Sequence, residues 1–316
     1  MRSFSFYMTK VAINLKNPLW GHLLLFVAAA FWGGNAPMVK DLAMHGVSAI
    51  AVAAFRSIGG VAAFWLTSLF VKREKEPIDM RVIGKFFIAA VLSIVFNQML
   101  FTVGISYTSP VNATIVATML PIITLVLSAI ILKERVTLPK VLGIAIGLTG
   151  ALMLVMAGGA GPMAGGLKGD IMCFTAQSCI GLYMVLFRGM IHRYNVITLM
   201  KWMFLFSSLI VTPLTWPYIS AIDYASLPLV AWGEIAFIVF GGTYAAYIFF
   251  TYGQQLLTPT IVGMYNYVQP IVATILAVAM GVGLFGWREG VAMVLVFAGV
   301  YIVNNAKKIA AYARKR

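Results

Sequence analysis

Runs of about twenty apolar residues recur along the chain from Trp20 to Asn304, and they constrain the fold more than any other feature. A bilayer core needs roughly that many residues for each helix that crosses it. The composition agrees, since 61% of the residues are apolar and only 10% are charged, whereas soluble domains carry roughly 25% charged residues. Backbone groups in lipid must be paired within their own segment, so these runs are expected to be helices. The sequence therefore predicts an all-α integral membrane protein.

Ten such runs can be placed, which predicts ten transmembrane helices. They are Trp20–Val39, Ser48–Val71, Val82–Val103, Val111–Leu132, Pro139–Ala157, Gly169–Phe187, Thr198–Trp216, Trp232–Tyr252, Thr260–Gly281 and Val291–Asn304. The breaks between them hold the polar residues, as in Lys133-Glu134-Arg135, and most of the prolines.

The placement of positive charge predicts the orientation. Nineteen of the 23 Lys and Arg residues lie at the termini and the even-numbered breaks, whereas Lys40, Lys168 and Arg288 lie on the other side. Cytoplasmic loops carry such an excess, so we expect a multi-pass protein of a bacterial inner membrane with both termini cytoplasmic. The charges are not interleaved with stacking aromatics on polar segments, which argues against a nucleic-acid partner.

The chain repeats itself. At a shift of 149 residues Phe101-Thr102-Val103-Gly104 aligns with Phe250-Thr251-Tyr252-Gly253, Pro110 with Pro259, Pro121 with Pro270 and Gly150 with Gly299; at 148, Gly21 aligns with Gly169, Gly33 with Gly181 and Lys40 with Arg188. This predicts two five-helix repeats, residues 1–157 and 158–316. Because five is odd, the second repeat must be inverted in the membrane. Inverted repeats are typical of secondary transporters, whose solute site lies near the bilayer midplane between the halves.

Several short motifs resemble one family, the EamA-type branch of the drug/metabolite transporter superfamily. They are Phe31-Trp32-Gly33-Gly34-Asn35, Arg56 after Ala-Ala-Phe, the Ser-Pro and Thr-Pro pairs at Pro110 and Pro259, the mid-helix prolines, and Lys133-Glu134-Arg135. The resemblance implies ten helices around a central cavity lined mainly by helices one, three, four, six, eight and nine. It also implies export of amino acids or related metabolites. The second repeat departs from the pattern, with Val282-Gly283-Leu284 at the position of Lys-Glu-Arg.

Arg56 is the cation placed clearly inside a predicted membrane helix. It lies eight residues after Ser48, or about 12 Å along the second helix. A charge inside lipid costs roughly 2–3 kcal/mol or more, so such a residue is a functional candidate by default. Arg56 could hold a carboxylate or phosphate of a solute through its fork of N–H donors. The alternative is a structural arginine that pairs with carbonyls at helix ends.

Amide and aromatic side chains on the predicted cavity helices complete the candidate solute site. The amides are Asn35, Asn97, Gln98, Asn112, Asn266 and Gln269, and the aromatics are Trp32, Tyr244, Tyr247 and Tyr265, with Tyr183 and Tyr267 in the same group. Amides can hydrogen-bond a zwitterion, but they also join membrane helices to one another. A tyrosine near a helix centre needs a partner for its hydroxyl, which a wet cavity or a packed core can supply.

Two prolines and two glycines are expected to affect how the helices bend and pack. Pro121 and Pro270 each remove a helix hydrogen bond, so they are expected to act as hinges or as fixed kinks. Gly143 and Gly147 form a small face on the fifth helix that suits packing inside the bundle or a dimer.

The chain has no motif for ATP binding or hydrolysis, no membrane-centred carboxylate for cation exchange, and no set of side chains that suggests a metal or another cofactor. Cys173 and Cys179 are expected to be plain core residues. We therefore expect no enzyme, but a secondary transporter that exports small polar metabolites such as amino acids by alternating access, as a monomer or homodimer in a lipid bilayer. Multidrug or lipid-like amphiphile efflux, a non-transporting membrane scaffold and an enzyme acting on lipid are the alternatives.

Overall fold

A computed structural model describes residues 17–71, 77–108, 110–157, 166–279 and 286–313. All regular secondary structure in these ranges is helical. The α-helices are α1 (Pro18–Met44), α2 (Ala49–Ser68), α3 (Met80–Ala90), α4 (Asn97–Tyr107), α5 (Pro110–Ala117), α6 (Leu120–Ile131), α7 (Leu138–Ala157), α8 (Leu167–Leu186), α9 (Arg188–Arg193), α10 (Val196–Ser220), α11 (Leu229–Ala236), α12 (Ala246–Leu256), α13 (Pro259–Met264), α14 (Val268–Ala279), α15 (Trp287–Asn304) and α16 (Ala306–Ala313).

Eight helical stretches in the described residues are long and apolar enough to cross a membrane. They are Ala49–Ser68, Met80–Ile105, Ala113–Ile131, Leu138–Met156, Leu167–Leu186, Val196–Ser220, Leu229–Leu256 and Trp287–Asn304. The all-helical membrane class is therefore confirmed. The first predicted helix falls within α1, and the described part of the ninth covers α13 and α14. Neither is among these eight stretches, so the count of ten stays a prediction.

Polar side chains mark the starts of several helices. Asn17 directly precedes α1, and its side chain accepts a hydrogen bond from the N–H of Leu19 at 3.0 Å. Ser48 and Asp79 cap α2 and α3 in the same way. These side chains satisfy backbone N–H groups that have no partner within the helix. The short polar breaks read from the sequence thus set where the apolar helices begin.

Two long helices contain π-helical segments, and two others are broken. The π segments are Val91–Phe96, between α3 and α4, and Phe237–Ala245, between α11 and α12. The chain turns between α5 and α6, and a 3₁₀ turn at Tyr265–Tyr267 separates α13 from α14. Pro121 and Pro270 lie just after these two breaks, at or near the start of the next helix. A hinge role for the prolines stays a prediction.

Glycines bring the backbones of α7 and α15 close together. A Cβ atom on Gly150 would lie 2.5 Å from the carbonyl oxygen of Ala292, and one on Gly299 would lie 2.5 Å from that of Gly143. Gly147 packs against Tyr267. Small residues let backbones approach this closely in membranes. Both glycines of the predicted small face are therefore used for packing inside the bundle.

We expect Gly299→Ala to destabilise the protein by about 1–3 kcal/mol, because its new methyl group would meet rigid backbone atoms of Gly143 and Gly147. The control is Gly290→Ala on the same helix, where nothing lies within 4 Å and alanine is the better helix former. Thermal unfolding in detergent measures both. Equal melting temperatures for the two variants would contradict the close contact.

Candidate functional site

The guanidinium of Arg56 reaches from α2 to the π segment Phe237–Ala245. Its Nε donates to Thr243 Oγ1 at 3.0 Å, and its Nη2 approaches the carbonyl oxygen of Gly242 at 3.4 Å. Among the described residues Arg56 makes no salt bridge to a carboxylate. The remaining N–H groups have no acceptor in this same part of the chain, so they can serve an anion that enters from outside the protein.

The carbonyl of Gly242 is shared by two donors. Trp32 Nε1 donates to it at 3.0 Å from α1, in addition to the contact from Arg56. Thr243 Oγ1 donates back to the carbonyl of Ile238, five residues earlier, as the wider π turn allows. Single π turns occur frequently at functional sites because they change which backbone groups are free.

Asn35 lies directly over Gly242. The side chain is buried, and a Cβ atom at position 242 would overlap its amide, so the glycine lets Asn35 lie in this position. The Oδ1 atom of Asn35 has no hydrogen-bond partner in the described residues. A buried acceptor without a partner costs about 1–3 kcal/mol, and a donor on a bound solute could recover that cost.

Aromatic rings form one wall of this region. Trp32 packs edge-on against Tyr247, with ring centroids 5.7 Å apart, and against Phe250 at 4.9 Å. Tyr247 in turn meets Phe204 at 5.0 Å. We call the residues gathered here the Arg56 cluster: Trp32, Asn35, Arg56, Gly242, Thr243 and Tyr247.

Tyr244 points elsewhere. Its hydroxyl is 2.7 Å from Thr67 Oγ1, and its ring packs on Phe64 at 4.9 Å. The three-residue spacing from Tyr247 suggested a common face, but the two tyrosines have different neighbours here.

Asn266, Gln269 and Tyr265 form a separate polar group at the break between α13 and α14. Asn266 Nδ2 donates to the carbonyl of Ala117 at 2.6 Å, and Gln269 Nε2 donates to Asn266 Oδ1 at 2.6 Å. The hydroxyl of Tyr265 is 2.7 Å from His22 Nδ1. Asn266 and Ala117 are 149 residues apart, so this bond joins the matching points of the two repeats.

The other predicted amides lie on α4 and α5. Asn97 Nδ2 donates to the carbonyl of Ala176 at 3.0 Å, which joins α4 to α8. Gln98 is half-buried beside it. The side chain of Asn112 lies outside the part of the chain whose side chains are described, as do the residues Val282-Gly283-Leu284.

Glu134, in the predicted Lys-Glu-Arg break, ties three helix ends together. Its carboxylate is 3.1 Å from Arg188 Nη1 and 3.2 Å from Lys140 Nζ. Glu134 follows α6, Lys140 lies in the first turn of α7, and Arg188 begins α9. By the distribution of positive charge, this is the predicted cytoplasmic end of the bundle.

The sequence did not single out Gly242 and Thr243. Their contributions are a backbone carbonyl and a hydroxyl that joins the π segment Phe237–Ala245 to Arg56, and neither has a distinctive side-chain signature. The pair of glycines before Thr243, inside an otherwise apolar helix, was the available signal, since glycine within a helix often marks close approach.

Comparisons with known proteins place the chain in a family. A model of the EamA-like transporter family matches it twice, at residues 19–156 and 167–305. The uncharacterized transporter YyaM of Bacillus subtilis (strain 168) is 24% identical over 296 residues, covering 93% of this chain and 96% of that protein. An uncharacterized transporter of Archaeoglobus fulgidus is 24% identical over 281 residues, covering 89% and 97%.

A solved crystal structure shares the fold, with a TM-score of 0.72 at 17% identity over 91% of this chain and 98% of its own. The two matched segments include both helices of the α7–α15 contact and every residue of the Arg56 cluster. The chain is therefore a multi-pass membrane protein that belongs to the EamA-like transporter family.

Proposed function

We propose that this protein is a secondary transporter that exports small polar metabolites such as amino acids by alternating access, with the Arg56 cluster as its solute site. The observation that carries the proposal is an arginine inside a membrane helix, with open N–H donors and no carboxylate partner among the described residues. A fixed positive charge in a low-dielectric region favours a solute that brings a negative one.

The groups around Arg56 favour a zwitterion. The unpartnered Oδ1 of Asn35 can accept from an ammonium group, while Arg56 holds a carboxylate through charge-assisted hydrogen bonds. The rings of Trp32 and Tyr247 offer apolar surface for a side chain. An amino acid carries all three kinds of group.

The proposal includes ten membrane helices in two inverted halves, residues 1–157 and 158–316. Helix contacts support it, because exchanging the halves reproduces them. The contact of α4 with α8 becomes that of α12 with α1, while the α7–α15 and α2–α10 contacts each join a helix to its own counterpart in the other half. The glycine contacts repeat in the same way, with Gly169 against Tyr107 and Thr108, and Gly21 against Leu256 and Leu257.

Such symmetry supports alternating access, since a difference in conformation between two equivalent halves can be exchanged to open the opposite side. In the proposal Pro121 and Pro270 provide the bends, at the breaks that Asn266 joins to Ala117. In the proposal the protein lies in a bacterial inner membrane with both termini in the cytoplasm, because the side of a membrane protein with the excess of Lys and Arg faces the cytoplasm.

The second candidate is efflux of aromatic or lipid-like amphiphiles by the same fold. The ring contacts around Trp32 favour it, because Tyr247, Phe250 and Phe204 could pack on an apolar solute. An amphiphile without a negative group would leave Arg56 without an anion, which is why we place this candidate second. A non-transporting scaffold would bind no solute at this site.

Solute flux into liposomes that contain the purified protein tests the proposal. We expect thermal-shift screening to find amino acids that raise the melting temperature, since a ligand that prefers the folded state stabilises it. We expect those compounds to cross the vesicle membrane faster than in protein-free liposomes. Flux of amphiphilic dyes alone would favour the second candidate, and no flux of either kind would favour the scaffold.

A further inference from the structure

A small cavity lies at the predicted cytoplasmic end of the bundle, between α8, α9, α12 and α13. Its lining consists of Met184, Arg188, Ile191, Gln254, Leu257, Pro259 and Val262. Gln254 is only 5% exposed, and neither its amide oxygen nor its amide nitrogen has a partner in the described residues. The cavity measures about 10 Å³, close to the smallest space that holds one water molecule.

The charge beside Gln254 is positive. Arg188 lines the cavity and gives one nitrogen, Nη1, to Glu134, which also binds Lys140. Arg188 and Lys140 share one carboxylate here, so these three side chains together carry one net positive charge. A partly buried guanidinium attracts anions to a narrow opening.

A second unpartnered group lies between this cavity and Arg56. The hydroxyl of Tyr183, on α8, is buried and has no hydrogen-bond partner among the described residues. Tyr183 comes directly before Met184, which lines the cavity, and it shares a buried core cluster with Tyr247 of the Arg56 cluster. Tyr247 and Gln254 are seven residues apart, so they lie on one face of α12, about 10 Å from each other.

We infer that the facing sides of α8 and α12 form a passage for the anionic group of the solute between Arg56 and Arg188. Tyr183 and Gln254 are its intermediate donors. We call this path the Gln254 passage, defined by Tyr183, Tyr247 and Gln254 with an arginine at each end. The inference rests on the proposed function, because it assumes a solute that carries a negative charge.

The physical reason is the cost of moving an anion out of water. A carboxylate leaving Arg188 needs new hydrogen-bond donors before it reaches Arg56. The Gln254 amide and the Tyr183 hydroxyl, which have no partner among the described residues, can supply them without breaking bonds in that part of the chain. In this conformation the passage is narrow, and the Glu134–Arg188 ion pair lies at its predicted cytoplasmic end. Movement of α8 relative to α12 is then required for the solute to pass.

The first repeat has no equivalent amide. Position 105, which matches 254 at the shift of 149, is an isoleucine. The passage is therefore a feature of one end of the transporter and is not copied by the repeat. In this inference the solute therefore meets different side chains where it enters the transporter and where it leaves.

The test is thiol accessibility in a variant whose native Cys173 and Cys179 are replaced by alanine. Membrane vesicles of both orientations that contain the Gln254→Cys variant are treated with two methanethiosulfonates. One is the anionic sulfonatoethyl reagent, and the other is the cationic trimethylammonium-ethyl reagent. After correction for their rates with free cysteine, we expect the anionic reagent to react about tenfold faster. Adding Arg188→Gln should bring the ratio close to one.

Phe249→Cys is the matched control. Phe249 lies on α12 two residues after Tyr247 and therefore on the opposite face of the helix, where its ring stacks on Phe31 of α1, so we expect neither reagent to reach it. Tyr183→Cys is the second passage variant, for the case in which Gln254→Cys does not fold. Equal rates for both reagents, or no reaction at the passage cysteine, would overturn the inference. The assay needs no transported solute, so a failure of the proposed function would show separately, as absent flux in liposomes.

Discussion

Arg56→Ala is expected to reduce solute flux at least about tenfold while leaving expression and folding intact. Hydrogen bonds to a charged partner contribute about 1.5–3 kcal/mol, and each 1.4 kcal/mol corresponds to a factor of ten in binding. Among the described residues Arg56 bonds to Thr243 and approaches Gly242, so its loss removes few contacts in this part of the bundle.

Two further variants distinguish a binding role from a structural one. Arg56→Lys keeps the charge but loses the fork, so we expect it to retain weak flux with a raised KM. Lys201→Gln removes another cation, one that lies over the ring of Trp65 and outside the Arg56 cluster, and should leave flux unchanged. Normal flux in Arg56→Ala would remove this residue from the solute site.

The eight helical stretches long enough to cross a membrane were predictable because the length of their apolar runs identifies them. The breaks within the predicted helices were not, since the turn at Tyr265–Tyr267 and the π segment Phe237–Ala245 depend on hydrogen-bond register. Composition carries no information about register. The Pro270 signal indicated a bend in the ninth helix, but it did not show that the break precedes the proline.

The candidate site was partly predictable for a similar reason. Arg56, Trp32 and Asn35 have side chains that are costly or unusual in lipid, so they stand out in a sequence. The carbonyl of Gly242, which contacts both Arg56 and Trp32, belongs to the backbone and has no such mark. Asn266 is just as unusual in a membrane helix, but its side chain bonds to the carbonyl of Ala117 and is not part of the Arg56 cluster.

Glu134→Gln is expected to weaken the predicted cytoplasmic closure and to shift the protein toward conformations open at that end. The change leaves Arg188 and Lys140 without a carboxylate partner among the described residues. Removing one member of a buried ion pair costs about 3–5 kcal/mol. The Glu134 and Arg188 side chains are 18% and 34% exposed, so we expect a smaller effect, about 1–3 kcal/mol.

The shift can be measured as a distance between spin labels at Val136→Cys and Gly189→Cys, again with the native cysteines removed. Val136 is exposed, and a Cβ atom added at Gly189 would have nothing within 4 Å among the described residues. We expect a longer distance to gain population in Glu134→Gln and not in Arg135→Gln, which changes an exposed neighbour.

A double-mutant cycle with Arg188→Gln separates the ion pair from general loss of charge. Arg188→Gln alone should have the smaller effect, because Glu134 keeps its bond to Lys140. The double variant should cost less than the sum of the two single variants, since each removes the same bond. Strict additivity of the two changes would show that Glu134 and Arg188 do not act together in holding this end closed.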